Sequence, residues 1–167
     1  MKKSILLALL LVTAMLSGAY AAEPFPAFSS KTISGEDIDN GVFAGAKITM
    51  VNIWATWCPP CVYEMPDLGE LGRSMPKGSR LVGFLIDAAP SDTKVISKAL
   101  NILKKSNADF TQILLTKDIK PYLEKNIEAI PTTIFVNSKG EIVGKPLVGS
   151  RPGREYRAEV ESLLSRK

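Results

Sequence analysis

Ile48-Thr49-Met50-Val51-Asn52-Ile53-Trp54, followed after Ala55-Thr56 by Trp57-Cys58-Pro59-Pro60-Cys61, decides how the rest of the chain is read. The first seven residues are β-prone and almost continuously apolar, interrupted by Asn52, as in a strand buried on both faces of an α/β sheet. A helix is expected to start at Pro59 and Pro60, because proline is tolerated in a first turn whose N–H groups have no intrahelical partner. Cys58 and Cys61 are the two cysteines of the chain. At i and i+3 their thiols share one face of a helical turn, close enough to close a disulfide or to clasp a metal together.

Outward from the cysteines, the helix is expected to reach about residue 75, with Pro66 inside it and Pro76 as its stop. Residues 80–87 read as a second buried strand, and Ser91-Asp92 as the cap of a helix whose apolar positions Val95, Ile96, Ala99, Leu100, Ile102 and Leu103 recur at helical spacing. Strand, helix and strand in that order favour parallel pairing. A short strand over 113–115 and a short helix over 118–126 lead to Ile130-Pro131, where a strand begins and runs to Val136. Ser138-Lys139-Gly140 turns the chain into 141–148, an antiparallel hairpin expected at a sheet edge. An amphipathic helix over 154–164 closes on Tyr156, Val160, Leu163 and Leu164, while Tyr63, Tyr122 and Phe84 are assigned to packing.

The N-terminal side divides in two. Lys2 and Lys3, the apolar run 5–16, and small residues ending at Ala19-Tyr20-Ala21 have the order of a secretory signal peptide cut after Ala21, with an uncleaved membrane anchor as the alternative. Residues 22–47 read as a linker kept extended by Pro24 and Pro26, then a hairpin turned at Ser34-Gly35. Residues 48–167 form one α/β domain. The formal charge is +4, and Lys2 and Lys3 supply two of these charges with no acid in residues 1–21, leaving +2 on the exported body. Without a run of like charges or an aromatic-interleaved basic patch, nucleic acid has no footprint. In an oxidising compartment a lone cysteine pair is usually a disulfide, yet two intervening residues close almost no loop, so chemistry explains the pair better than stabilisation does.

Strand, Trp-Cys-x-x-Cys, proline-containing helix, βαβ, Ile-Pro-Thr, hairpin and terminal helix together resemble the thioredoxin fold over residues 48–164. Residues 51–61 with Glu64 and Pro66, and the β–α piece inserted over 80–115, resemble the exported TlpA/ResA/DsbE group of thiol:disulfide oxidoreductases. This resemblance implies a central mixed β-sheet flanked by helices, with an N-terminal hairpin extension. It implies that Cys58 is the exposed nucleophile, Cys61 the buried resolving thiol and Pro131 a cis proline facing their disulfide. Trp57, Pro59, Pro60, Ile130 and Pro131 are then the substrate-binding residues. Asn52 occupies the position of thioredoxin's buried acid, which leaves Glu64, one turn beyond Cys61, as the candidate proton acceptor. Implied with these are reduction of exported protein disulfides, for example in cytochrome c maturation, and no cofactor beyond the Cys58–Cys61 disulfide. The same resemblance implies a membrane thiol-reductant donor of the DsbD/CcdA kind, a monomer, and a place in the periplasm or at the outer face of the cytoplasmic membrane.

A helix N-terminus favours thiolate at Cys58, but Pro59 and Pro60 lack N–H groups, so a site more reducing than DsbA, at about −120 mV, is expected. Two other chemistries compete. Copper or zinc handling suits paired thiolates, but the chain has no histidine and no further cysteine to complete a site. Peroxide reduction through one cysteine needs a threonine where Ala55 stands, and Thr56 is out of register for it. A docking domain without catalysis gives no reason to keep both thiols.

Overall fold

Every residue of the Ile48–Trp54 run is buried, and the run is a central strand of the larger sheet. The computed structural model describes residues 23–166, so the expected signal peptide over residues 1–21 lies outside the described residues. In chain order the elements are β1 (Glu23–Pro24), β2 (Ser29–Lys31), β3 (Asp37–Asp39), a 3-10 turn (Asn40–Phe43), β4 (Ile48–Trp54), α1 (Pro59–Arg73), β5 (Ser79–Leu85), α2 (Thr93–Lys105), β6 (Gln112–Leu114), α3 (Lys120–Asn126), β7 (Thr132–Asn137), β8 (Glu141–Val148) and α4 (Gly153–Ser165). Six strands form a mixed sheet in the order β1-β8-β7-β4-β5-β6, and β2 pairs antiparallel with β3 in a second, two-stranded sheet.

Both β–α–β units pair parallel as expected, β4 with β5 and β5 with β6, and β7 runs antiparallel to β4. This mixed sheet with flanking helices is a thioredoxin fold, and the piece expected as an insertion over 80–115 comprises β5, α2 and β6. The β7–β8 hairpin is not at the edge expected of it. Glu23 and Pro24 pair with Ile142 and Glu141, so the residues read as a linker add a short edge strand outside β8. The chain then drives Phe25 and Phe28 into the interior. The reason is apolar area: two phenylalanines in six residues bury too much surface to remain a tether. Asp92 also departs from a simple cap, since its carboxylate accepts from the Ala89 N–H and closes the preceding turn instead of bonding the α2 backbone.

Alternation along the strands gives the sheet two unlike faces. Met50 and Trp54 of β4, with Leu81 and Leu85 of β5, pack beneath α1, α2 and α4. Val51, Ile53, Val82 and Phe84 face Phe25, Phe28 and Phe43 and the α3 residue Leu123. Gln112 crosses beneath β5 to accept a hydrogen bond from Trp54 Nε1 at 2.8 Å. That crossing requires Gly83, where a Cβ would overlap the Gln112 amide.

Candidate active site

At the C-terminal end of β4 the chain leaves the sheet through Ala55-Thr56-Trp57 and enters α1 with Cys58 as its N-cap. Cys58 has extended backbone, and its Sγ accepts from the Cys61 N–H at 3.3 Å. Pro59 and Pro60 offer no N–H, so the donor facing the sulfur comes from Cys61. Cys58 and Cys61 are joined as a disulfide with Cα atoms 5.3 Å apart. Their burial corrects one expectation. Cys58 is not exposed: it keeps 3% of its surface and Cys61 none. The Ile130 carbonyl oxygen, 3.6 Å from Cys58 Sγ, closes over it from the facing loop.

Openness lies instead in the rim. Trp57 is 64% exposed, and Pro59 and Pro60 are also exposed. The Ile130–Pro131 peptide bond is cis. The Pro131 carbonyl is tied to the Gly149 N–H at 2.8 Å, which fixes this loop to the end of β8. Trp57 and Ile130 also wall a groove of about 450 Å³ that runs along α3 over Ile86, Leu115, Leu123 and Ile127. Tyr63, expected in packing, is 81% exposed on α1, one turn beyond Pro59 and Pro60. Its ring finds no cavity because the inward face of that turn is already occupied by Cys61, Glu64 and Met65.

Glu64 is only 3% exposed, unlike an ordinary helix-surface glutamate. Its Oε1 accepts from Asn52 Nδ2 at 2.9 Å; its Oε2 accepts from the Tyr156 hydroxyl at 2.8 Å and the Arg151 N–H at 3.3 Å. Burial pushes its carboxyl above the ordinary value of 4.5, opposed by the donors of Asn52, Tyr156, Arg151 and Ser150. Asn52 Nδ2 also donates to Thr133 Oγ1 at 3.2 Å, across the β4–β7 pair in which those two residues stand opposite. Among the described residues the cysteines gather no metal-binding cluster of three or more His, Cys, Asp or Glu.

Three features of the site were missed in the sequence. Tyr156 was read as a core residue of the terminal helix; its ring is buried as expected, but its hydroxyl is committed to Glu64. Arg151 contributes through its backbone, which no side-chain pattern discloses. Asp87 accepts from both the N–H and the hydroxyl of Thr56, at 3.0 and 2.7 Å, and so pins the loop that carries Trp57. Its position just beyond β5, at the carboxyl end of a parallel strand, is the signal that points to it.

Comparison with known proteins agrees with this geometry. A family profile described as Redoxin matches residues 20–164. The chain is 32% identical over 129 residues to the sporulation thiol-disulfide oxidoreductase A of Bacillus subtilis, with 74% of each protein covered. It is 26% identical over 146 residues to the thiol:disulfide interchange protein DsbE of Allochromatium vinosum, covering 86% of this chain and 75% of that one. Among solved structures it is similar to a thioredoxin-family thiol:disulfide interchange protein from Chlorobium tepidum, at 25% identity and a TM-score of 0.69, covering 86% of this chain and 97% of the other. With a Cys-x-x-Cys pair at the N-terminus of α1 in this fold, the chain belongs to the redoxin family, as a thiol:disulfide oxidoreductase of the TlpA/ResA/DsbE group.

Proposed function

We propose that this oxidoreductase is exported and works as a monomeric reductase of protein disulfides. The reduced Cys58 thiolate attacks one sulfur of a substrate disulfide; a Cys58–substrate disulfide forms, and the other substrate sulfur leaves as a thiolate that water protonates. Cys61 gives its proton to the Glu64 carboxylate and attacks Cys58 Sγ. The Cys58–Cys61 bond forms, the remaining substrate sulfur departs as thiolate, and two electrons have passed to the substrate. A membrane thiol reductant of the DsbD/CcdA kind returns them. Trp57, Pro59, Pro60, Ile130 and Pro131 bear the substrate chain, and the groove along α3 receives an apolar residue beside its cysteine.

The reducing direction rests on one observation: Pro59 and Pro60 leave the Cys58 sulfur with the Cys61 N–H as its backbone donor. A thiolate with fewer donors is less stabilised, and its dithiol is the better electron donor. Equilibration with glutathione should therefore give a potential well below the about −120 mV of DsbA, and a value near that figure overturns the reductase reading. The partner is found with Cys61→Ser, which leaves the mixed disulfide on Cys58 unresolved. Expressed in an exporting cell, it should retain cysteine-bearing exported proteins, such as apocytochrome c awaiting haem, that dithiothreitol releases. Recovery of cytosolic proteins alone would sink the export reading.

Glu64 is the proton acceptor in this scheme. Its carboxyl, raised by burial, accepts from Cys61 only when ionised, so the rate should fall on the acid side of its pKa. Glu64→Gln should remove that limb of the pH–rate profile.

A further inference from the structure

Glu64 lies between two elements far apart in sequence, β4 and α4, and its two oxygens are held differently. Oε2 takes the Tyr156 hydroxyl at 2.8 Å and the Arg151 N–H at 3.3 Å. Oε1 faces the amide of Asn52, whose Nδ2 is 2.9 Å away. Asn52 is fully buried, and its own carbonyl oxygen, Oδ1, is buried without a hydrogen-bond partner. Orphaned buried acceptors are uncommon and call for an explanation.

We propose that Tyr156 is a positioning residue which acts through Glu64: by donating to Oε2 it keeps the buried carboxylate ionised and reserves Oε1 for the incoming proton, while the Asn52 amide turns over to accept from the protonated form. The proposal rests on the reading of Glu64 as proton acceptor and adds what sets its working range. Every partner of the carboxylate in the oxidised structure is a donor, the arrangement that suits a carboxylate and not a carboxylic acid. Once a proton arrives on Oε1, the facing Nδ2 becomes the wrong group. A half-turn of the amide places the orphan Oδ1 there. The Thr133 hydroxyl, now 3.2 Å from Nδ2 and also bonded to the Tyr156 hydroxyl, turns its proton to the same oxygen. The amide thereby presents either a donor or an acceptor to Oε1 without any movement of the backbone, its other end lying in the unpartnered place in either state.

Tyr156 suits this role because it stays a donor. Burial, with the Glu64 charge beside it, holds its phenol above the ordinary range, so it keeps its proton wherever the thiols react. The other groups facing the carboxylate do not titrate in that interval. From β4 comes the Asn52 amide, from β7 the Thr133 hydroxyl, and from the segment before α4 the Ser150 hydroxyl and the Arg151 N–H. The Arg151 guanidinium is turned to Glu155 at 3.3 Å and the Val148 carbonyl at 3.5 Å. On α1 itself the ionisable neighbours are Asp67, one turn on, whose carboxylate accepts from the Gly153 N–H at 3.2 Å, and the cysteines, ionisable only when reduced.

The test is the pH–rate profile of disulfide reduction for the full chain, wild type against Tyr156→Phe, Glu64→Gln and the double variant. Tyr156→Phe removes one donor from the ionised form, so the acid limb should move up by about one pH unit: about tenfold slower on the limb, within about twofold on the alkaline plateau. In the Glu64→Gln background the same change should leave the profile where it was. A uniform loss at every pH, or an unmoved limb in Tyr156→Phe while Glu64→Gln removes it, overturns the proposal and leaves the proton acceptor standing. If the limb survives Glu64→Gln, the proton-acceptor reading falls first. The wild-type protein supplies a second measurement that needs no variant: in the oxidised form the Asn52 side-chain amide resonances should titrate with the same midpoint as the Glu64 carboxyl carbon. Separate midpoints, or an Asn52 amide that does not titrate, overturn the turning amide.

Discussion

The two faces of β4 bury equally well and do unlike work. On one, Val51 and Ile53 meet an apolar layer in which Phe25, Phe28, Phe43, Phe84 and Tyr122 pack ring against ring at centroid separations of 5.2 to 6.3 Å. On the other, Asn52 sits between Met50 and Trp54 and opens a polar island of Glu64, Tyr156 and Thr133, with Glu64 one turn beyond Cys61 on α1. Burying a carboxylate costs stability even when it is well bonded, whereas burying phenylalanine gains it. The difference teaches that the aromatic face supports the fold, and that the island is retained for what it does to protons.

If so, damage to the aromatic face should unfold the protein without retuning its chemistry. Phe25→Ala is the sharpest version, because residue 25 lies in the stretch that reads as a linker. Truncating a ring surrounded by four others should cost about 3–5 kcal/mol, seen as a lower urea midpoint with unchanged m-value. The pH–rate profile of the remaining folded protein should match wild type. A cost below about 0.5 kcal/mol would make residues 23–28 a tether after all. Next in size is Gly83→Ala. It overpacks against Gln112, which must withdraw from Trp54, and should cost about 1–3 kcal/mol. Full stability there would mean that the Trp54–Gln112 bond contributes little.

How much of this could be read from the sequence follows the same division. The strand at 48–54, the helix behind the prolines and both parallel pairings were legible because they depend on local pattern. The reactive pair was legible because its spacing is chemical information in itself. Phe25 and Phe28 were not, since Pro24 and Pro26 mask two buried rings in a stretch with no periodicity. The island was half legible: Asn52 and Glu64 stand out as polar residues in apolar company, twelve positions apart on adjacent elements. Tyr156 looks like any helical core residue, and its hydroxyl acquires meaning only when α4 folds back onto α1. The near-complete burial of Cys58 was also hidden, because the group that covers it is a backbone carbonyl 72 residues away.

The island should show itself as a pH dependence of stability. The folded protein holds the Glu64 proton to higher pH than the unfolded chain does, because burial raises its pKa above 4.5. Native protein therefore binds more protons than unfolded chain between those two values. Stability from this group is fully present below pH 4.5 and declines as pH rises through the folded pKa. Glu64→Gln should lack this decline, so its melting temperature, measured in the oxidised state, should fall less than that of wild type over the same interval. Parallel curves would show that the carboxylate is accommodated at no cost, and the contrast between the faces would lose its electrostatic half.

Trp57 belongs to neither face, and its substitution should change stability least. It is 64% exposed, so Trp57→Ala removes little buried area and should alter the unfolding free energy by no more than about 0.5 kcal/mol. Its indole nevertheless lines the groove along α3 together with Ile130. Losing an aromatic contact of this kind costs about 1–2 kcal/mol of association, or roughly 5- to 30-fold in KM for a disulfide-bearing peptide with an apolar residue beside its cysteine. Small dithiols that do not reach the groove should react with the variant as fast as with wild type. If KM for both rises together, Trp57 serves the disulfide itself; if neither changes, the substrate chain leaves the site along another path. The residue that matters least to the fold is thus the one that separates recognition of a protein substrate from reaction with its sulfur.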